Sequence, residues 1–192
     1  MKVNGKTAII TGGSRAEEGA SVAFGGRQHD SREERRDELI GRGMRCLAKQ
    51  ADVRNYQEVE AFFLQVHQEF GAIDFLINNA GVAIYTPISK MTPAQWGQVI
   101  DTNLSGVFNC CHAILPYLEG RRGSSIINIG SRGGKNAFAG GIAYNASKFG
   151  LIGFSEALFL DLRQLGIRVS YVMPGPVSTG LGGEPCLDWQ LT

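Results

Sequence analysis

Proline and cysteine are both scarce in this 192-residue chain, at six and four residues. So little proline, beside glycines with no fixed period, excludes a collagen-like repeat and a Pro/Gly linker. Cys46, Cys110, Cys111 and Cys186 make no CxxC, and no histidine accompanies them at metal-ligand spacing. No zinc module or disulfide scaffold is therefore expected, only free thiols of the kind a reducing cytosol keeps. No apolar run reaches the ~18 residues of a membrane span. The polar start, Met1 to Lys6, lacks the pattern of a signal peptide. An excess of one charge is also missing: 19 Lys+Arg against 18 Asp+Glu leave +1. A basic nucleic-acid surface is thus absent from the composition. These absences together predict a cytoplasmic protein with neither membrane nor nucleic acid as partner.

Glycine is present in excess, at 26 of 192 residues, about twice the usual ~7% share. In a globular chain, that many glycines mark places where backbone turns tightly or approaches a ligand. With 43% hydrophobic residues, the chain is long enough for one domain spanning 1–192. Short apolar segments alternate with longer amphipathic ones. Thr7–Thr11, Ser21–Gly26, Arg45–Ala51, Asp74–Asn78, Ser125–Gly130 and Arg168–Met173 read as strands. Helices are predicted over Ser31–Gly43, Asn55–Phe70, Thr92–Leu118 and Tyr144–Leu165, with Thr92 as cap and Pro93 at the first position of the third. Strands alternating with helices predict an α/β fold, a doubly wound parallel sheet with helices on both faces. Such sheets bind ligands outside the carboxyl ends of their strands, and the glycines cluster there.

Those strand ends carry, in order, TGGSR at 11–15, Asp52-Val53, NNAG at 78–81, Ser131 with YNASK at 144–148, and PGPVST at 174–179. Asn103 stands in DTNLSGVF on the long helix. Any one of these is a weak signal; the ordered set is a strong one. From Lys6 to Thr179 the chain resembles the classical short-chain dehydrogenase/reductase family, in particular its 3-oxoacyl-carrier-protein reductase-like members. The resemblance implies a Rossmann-like sheet and an oxidoreductase that moves a hydride between NADP(H) and a hydroxyl/carbonyl substrate.

The residues suit that chemistry on their own terms. Tyr144 and Lys148 are i,i+4 and share a helix face. An unassisted phenol, with a pKa near ~10, is a poor acid/base at neutral pH, and a neighbouring ammonium favours the phenolate. Tyr144 can then exchange a proton with the reacting oxygen. Ser131, at the end of the adjoining strand, can hold that oxygen. The resemblance implies further roles. Lys148 would bind the nicotinamide ribose, and Asn103 would position a water linking Lys148 to solvent. Gly12, Ser14 and Arg15 would form the pyrophosphate loop. Asp52 and Val53 would flank the adenine, and Asn79, Ala80 and Gly81 would either pass its ribose or serve as a turn that ties the central strands. Ile129 would lie under the nicotinamide ring. Pro174, Gly175, Val177 and Thr179 would meet its carboxamide side. An NAD-preferring site places a carboxylate after the second strand; here Gly26 is followed by Arg27, and Arg15 stands in the glycine loop. Two guanidiniums suit a 2′-phosphate, so NADP(H) is expected over NAD(H).

Two departures from the family pattern stand out. Only residues 12–20 separate the first two strands, fewer than the ~10–12 that a βαβ crossover needs. The first crossover helix is therefore expected to be missing, with Ala16-Glu17-Glu18 as a remnant of its last turn. The chain also stops at Thr192, without the family's last strand. An omission of segments present in the natural polypeptide is favoured. A genuine deletion and an alternative nucleotide-binding loop are the other readings, and an intact mass of 20.7 kDa would exclude the omission. The rival function is a non-catalytic or truncated member acting as a binding or oligomerisation module. By resemblance, a homodimer or homotetramer through helices 92–118 and 144–165 is expected. A serine hydrolase is set aside because Ile129 occupies the place where G-x-S-x-G needs glycine, and His29, His67 and His112 all precede Ser131. No metal ligand set is predicted. A small alcohol or ketone is expected as substrate, and Phe138, Tyr85 and Leu181 suggest a partly apolar pocket for it.

Overall fold

The computed structural model describes residues 5–12, 21–26 and 36–175. Six strands, β1 (Thr7–Thr11), β2 (Ser21–Gly26), β3 (Cys46–Gln50), β4 (Phe75–Asn78), β5 (Ser125–Ile129) and β6 (Arg168–Val172), form one sheet in the order β3-β2-β1-β4-β5-β6. Every pairing is parallel. The order reverses between β1 and β4, which opens a crevice at their carboxyl ends. Register follows burial: Ala23, Ile9, Leu76, Ile126 and Val169 lie side by side across five strands. Ile9, Ala23, Leu76 and Ile126 are fully buried.

Helices α1 (Tyr56–Phe70), α2 (Pro93–Ile100), α3 (Gly106–Leu118) and α4 (Ile142–Leu162) begin and end where their sequences allow. Asn55 caps α1 by accepting from the Gln57 and Glu58 amides, and Gly71 closes it in the left-handed conformation. Thr92 and Gln95 make a reciprocal capping box on α2, with Pro93 at its first position. The single long helix expected over 92–118 is interrupted: residues Asp101–Ser105 form a π-helical turn between α2 and α3. The wider turn carries Asn103, and Gly106 follows it, where a Cβ would lie 2.6 Å from Val53 Cγ2. The remaining elements fall within a residue or two of expectation, apart from α4, whose last three expected residues, Arg163–Leu165, form a 3-10 turn, and the helix expected over Ser31–Gly43, in which 36–41 is helical among the described residues.

One large core joins Phe62, Phe63 and Val66 of α1, Ile114 and Leu118 of α3, and Leu151 and Leu162 of α4 to one face of the sheet. On the opposite face, Leu39 from the helical residues 36–41 packs against Val22 and Phe24. Ile10, Ile77 and Ile127, one residue out of phase with the core layer, are half-buried. The crossover between β1 and β2 and the chain after Gly175 lie outside the described residues, and so do the expectations about the first crossover helix and the last strand. At the opposite end of the sheet from the crevice, Asp74 accepts from the Thr7 amide, Lys6 Nζ and Arg121 Nη2, each at 3.0 Å. Burial opposes ionisation of that carboxyl, but these donors hold it below the ordinary carboxylate range. Among the described residues, no helix is long and apolar enough to cross a membrane, and no cluster of His, Cys, Asp and Glu could hold a metal.

Candidate active site

The crevice is built outward from β1. Gly12 sits just past that strand with φ +59°, its amide donating to Gly25 O at 2.7 Å. A Cβ there would reach Ala80 Cα at 2.5 Å, so the β1 and β4 ends can approach only through glycine. Thr11 Oγ1 accepts from the amides of Asn79 and Ala80, both at 3.1 Å, and Asn79 Nδ2 donates to Thr11 O. Asn79 and Ala80 therefore tie β4 to β1. One residue on, Gly81 leaves open the space between Asn103 Oδ1 and Lys148 Nζ, which a Cβ would approach to 3.4 and 4.0 Å.

Asn103 is fully buried. Its Oδ1 accepts from Val82 N at 2.8 Å, and its Nδ2 donates to Val82 O and to Ser147 Oγ. Ser147 Oγ donates in turn to Tyr144 O. Lys148 is buried on α4 with Tyr144 one turn before it. Lys148 Nζ donates to Ile129 O at 2.9 Å and stands 5.8 Å from the centre of the Tyr144 ring. Desolvation pushes the Lys148 pKa down to about 8.

Ser131 follows β5 in extended conformation, and its Oγ accepts from Gly133 N at 3.1 Å. Gly133 also borders the Tyr144 ring, 3.2 Å from where its Cβ would be. Asn145 holds this loop at two points, donating to Gly133 O and accepting from Phe138 N. Tyr85 and Phe138 stand beside Tyr144, their ring centres 5.8 and 6.4 Å from its own. The carboxyl end of β5 thus has a hydroxyl, a phenol and a desolvated ammonium near it, with two further aromatic rings beside the phenol.

This fold and site can be set against known proteins. The short-chain dehydrogenase family matches residues 6–185. The chain belongs to that family. It is 36% identical over 182 residues to the 3-oxoacyl-(acyl-carrier-protein) reductase FabG of Staphylococcus epidermidis, covering 88% of this chain and 74% of that protein. Among solved structures it resembles a short-chain dehydrogenase/reductase from Burkholderia phymatum in complex with NAD. That match has a TM-score of 0.90 at 26% identity and covers 94% of this chain and 69% of that one. A metagenomic short-chain oxidoreductase in complex with NADP matches with a TM-score of 0.83 at 32% identity, over 91% and 84% of the two chains. The expected oxidoreductase family and Rossmann-like α/β sheet are therefore established.

Of the residues expected to serve this short-chain dehydrogenase, Asn103, Ser131, Tyr144, Lys148, Gly81 and Ile129 are brought together at the carboxyl ends of β4 and β5. Asp52 and Val53 lie past β3. The Asp52 carboxylate is held by Arg54, with Nη2 donating at 2.6 Å, and Val53 O accepts from Asn109 Nδ2. Pro174 O accepts from Arg132 N, which sets Pro174 and Gly175 beside the Ser131 loop. Ser14, Arg15, Arg27, Val177 and Thr179 lie outside the described residues, as does Leu181. Thr11, Asn145 and Ser147 build the site without having been singled out. All three sat inside quoted motifs; each makes a hydrogen bond to a distant segment, Ser147 to the Asn103 side chain and the other two to backbone, and such bonds leave no spacing signal. Cys110 and Cys111 are buried and free.

Proposed function

We propose that this short-chain dehydrogenase transfers a hydride between NADP(H) and a hydroxyl/carbonyl substrate, with Tyr144 as the proton-exchanging group. The observation that carries this reading is the buried Lys148 ammonium, anchored to Ile129 O and set against the Tyr144 ring beside Ser131. Lys148 has one acceptor among the described residues and three protons to give. The open space at Gly81 between it and Asn103 suits the hydroxyls of a nicotinamide ribose. The nicotinamide, when bound, supplies or accepts the hydride.

The protein's own groups do the rest. Tyr144, with the Lys148 ammonium beside its ring, gives its proton to a forming alkoxide or takes one from an alcohol. Ser131 Oγ holds the same oxygen by a hydrogen bond. Asn103 fixes the Val82 backbone and, through Ser147, the turn of α4 that bears Tyr144. Phe138 and Tyr85 give the opening an apolar wall for the substrate's carbon skeleton. Preference for the 2′-phosphate rests on Arg15 and Arg27, with Gly26 in the place of a ribose-binding carboxylate. A homo-oligomer is supported by exposed apolar side chains on the long helices, Phe108 on α3 and Phe149, Phe159 and Leu160 on α4. A cytoplasmic location rests on the sequence alone.

Purified protein given NADPH and a panel of aldehydes and ketones should oxidise the cofactor, with NADH a poorer donor. Tyr144→Phe should lower turnover by at least about a hundredfold while leaving NADPH binding intact. Unchanged turnover in Tyr144→Phe would refute the assignment.

A further inference from the structure

Tyr171, on β6 at the end of the described sheet, reaches the back of the active-site loop, and the local sequence is shaped around it. A Cβ on Gly130 would overlap the Tyr171 ring and hydroxyl. At Gly134 a Cβ would come within 2.9 Å of the Tyr171 hydroxyl and 2.7 Å of Lys148 O. Both glycines have negative φ or extended backbone and need no left-handed conformation. At Gly130 this phenol keeps a side chain off, at Gly134 it does so together with the Lys148 carbonyl, and the two glycines bracket Ser131.

The hydroxyl is placed between two parts of the site. It accepts from the Ser131 amide and donates to the Lys148 carbonyl, each at 3.4 Å. Flanking bonds complete the brace. Gly130 N donates to Val172 O at 2.8 Å, and Arg132 N to Pro174 O at 3.3 Å. Three successive amides, of residues 130, 131 and 132, are thus held by β6 and the turn after it, the middle one by a side chain. Burial raises the Tyr171 pKa, as does the nearby Tyr144, while the Ser131 amide works against them. The hydroxyl therefore remains protonated and able to donate at neutral pH.

We infer that Tyr171 is a positioning residue for the Ser131–Tyr144–Lys148 group: its hydroxyl fixes the Ser131 backbone relative to the α4 turn that carries Lys148. The inference rests on the reading of those three residues given above. Small displacements of reacting groups lower rates steeply, whereas two long hydrogen bonds contribute little to overall folding stability.

The test combines kinetics with amide hydrogen exchange on Tyr171→Phe, which keeps the ring and removes the hydroxyl. Expected are faster exchange of the Ser131 amide, by about tenfold, and kcat lower by about three- to tenfold. Neither the KM for NADPH nor the melting temperature should move. Wild-type exchange at Ser131 together with wild-type kcat would overturn the inference. Exchange is read without turnover, so failure of the catalytic reading shows separately, as activity retained in Tyr144→Phe. A second pair separates positioning from space-filling. Gly130→Ala should destabilise the fold, and Gly130→Ala/Tyr171→Val should recover the melting temperature but not the rate. Full recovery of both would assign Tyr171 to packing alone and overturn the proposal.

Discussion

Replacing Lys148 with methionine should make the stability of this protein respond differently to alkali, in a direction the structure fixes. Lys148 Nζ is buried and accepted only by Ile129 O among the described residues, and desolvation brings its pKa from 10.5 to about 8. In the unfolded chain the amine keeps its proton up to about 10.5. Between those values the unfolded state binds one more proton than the native state, so rising pH stabilises the native state. Below about 8 both states are charged, and the native protein bears the full cost of burying the ammonium. The span of about 2.5 pH units, at 1.36 kcal/mol each, is on the order of 3 kcal/mol. Methionine has no charge to bury, and the bond lost to Ile129 O is a pH-independent offset. Cys46 and Cys111, with pKa values pushed up by burial to about 11 and about 12, titrate alike in both proteins and cancel. Urea unfolding of wild type and Lys148→Met should be run at half-unit steps from pH 7 to 10.5. The wild type should gain on the variant by on the order of 3 kcal/mol, nearly all of it above pH 8. The reductive kcat/KM of the wild type should fall as pH rises through about 8, where the Lys148 ammonium proposed to hold the cofactor ribose is lost. Parallel stability curves would refute the argument, because an ammonium that costs nothing to bury cannot have a lowered pKa.

Two further outcomes follow from the scaffold. Asp74→Ala should cost about 3 kcal/mol near neutrality, since it leaves the Thr7 amide and two cations without their shared acceptor. Because the Asp74 pKa is lowered by folding, that difference from wild type should be full above the unfolded value of 3.8 and shrink as pH falls through it and below; a constant difference would show that the carboxylate is not the source. Gly12→Ala should lower stability by about 1–3 kcal/mol, read as a shift in thermal melting, through both the left-handed φ and the contact with Ala80. An unshifted melting curve would mean that β1 and β4 can part at no cost.

Much of the site was legible because its chemistry depends on spacing along single elements. Tyr144 and Lys148 share a helix face by the helical repeat alone. The glycines after β1 and β4 and the alternation of apolar strands with helices announce a parallel sheet with its ligands at the carboxyl ends. The π-helical turn around Asn103 was not legible, because residues 92–118 carry an apolar periodicity compatible with one continuous helix. The turn is followed by the close approach of Gly106 to Val53, a contact between distant segments. Gly12 shows the same limit. As a sequence feature it suggests room for a phosphate, yet the neighbour that first forbids a side chain there is Ala80.

By itself, then, the sequence determined the fold class, the order of elements and the shared helix face of Tyr144 and Lys148 on α4, all consequences of local periodicity and of residue chemistry at strand ends. Tertiary structure alone decided how those groups are poised. The depth of burial that lowers the Lys148 pKa, the Asn103 bonds to Val82 and Ser147, and the Tyr171 brace behind Ser131 each join residues at least 19 positions apart. Such contacts come from packing distant segments together and leave no period in the chain.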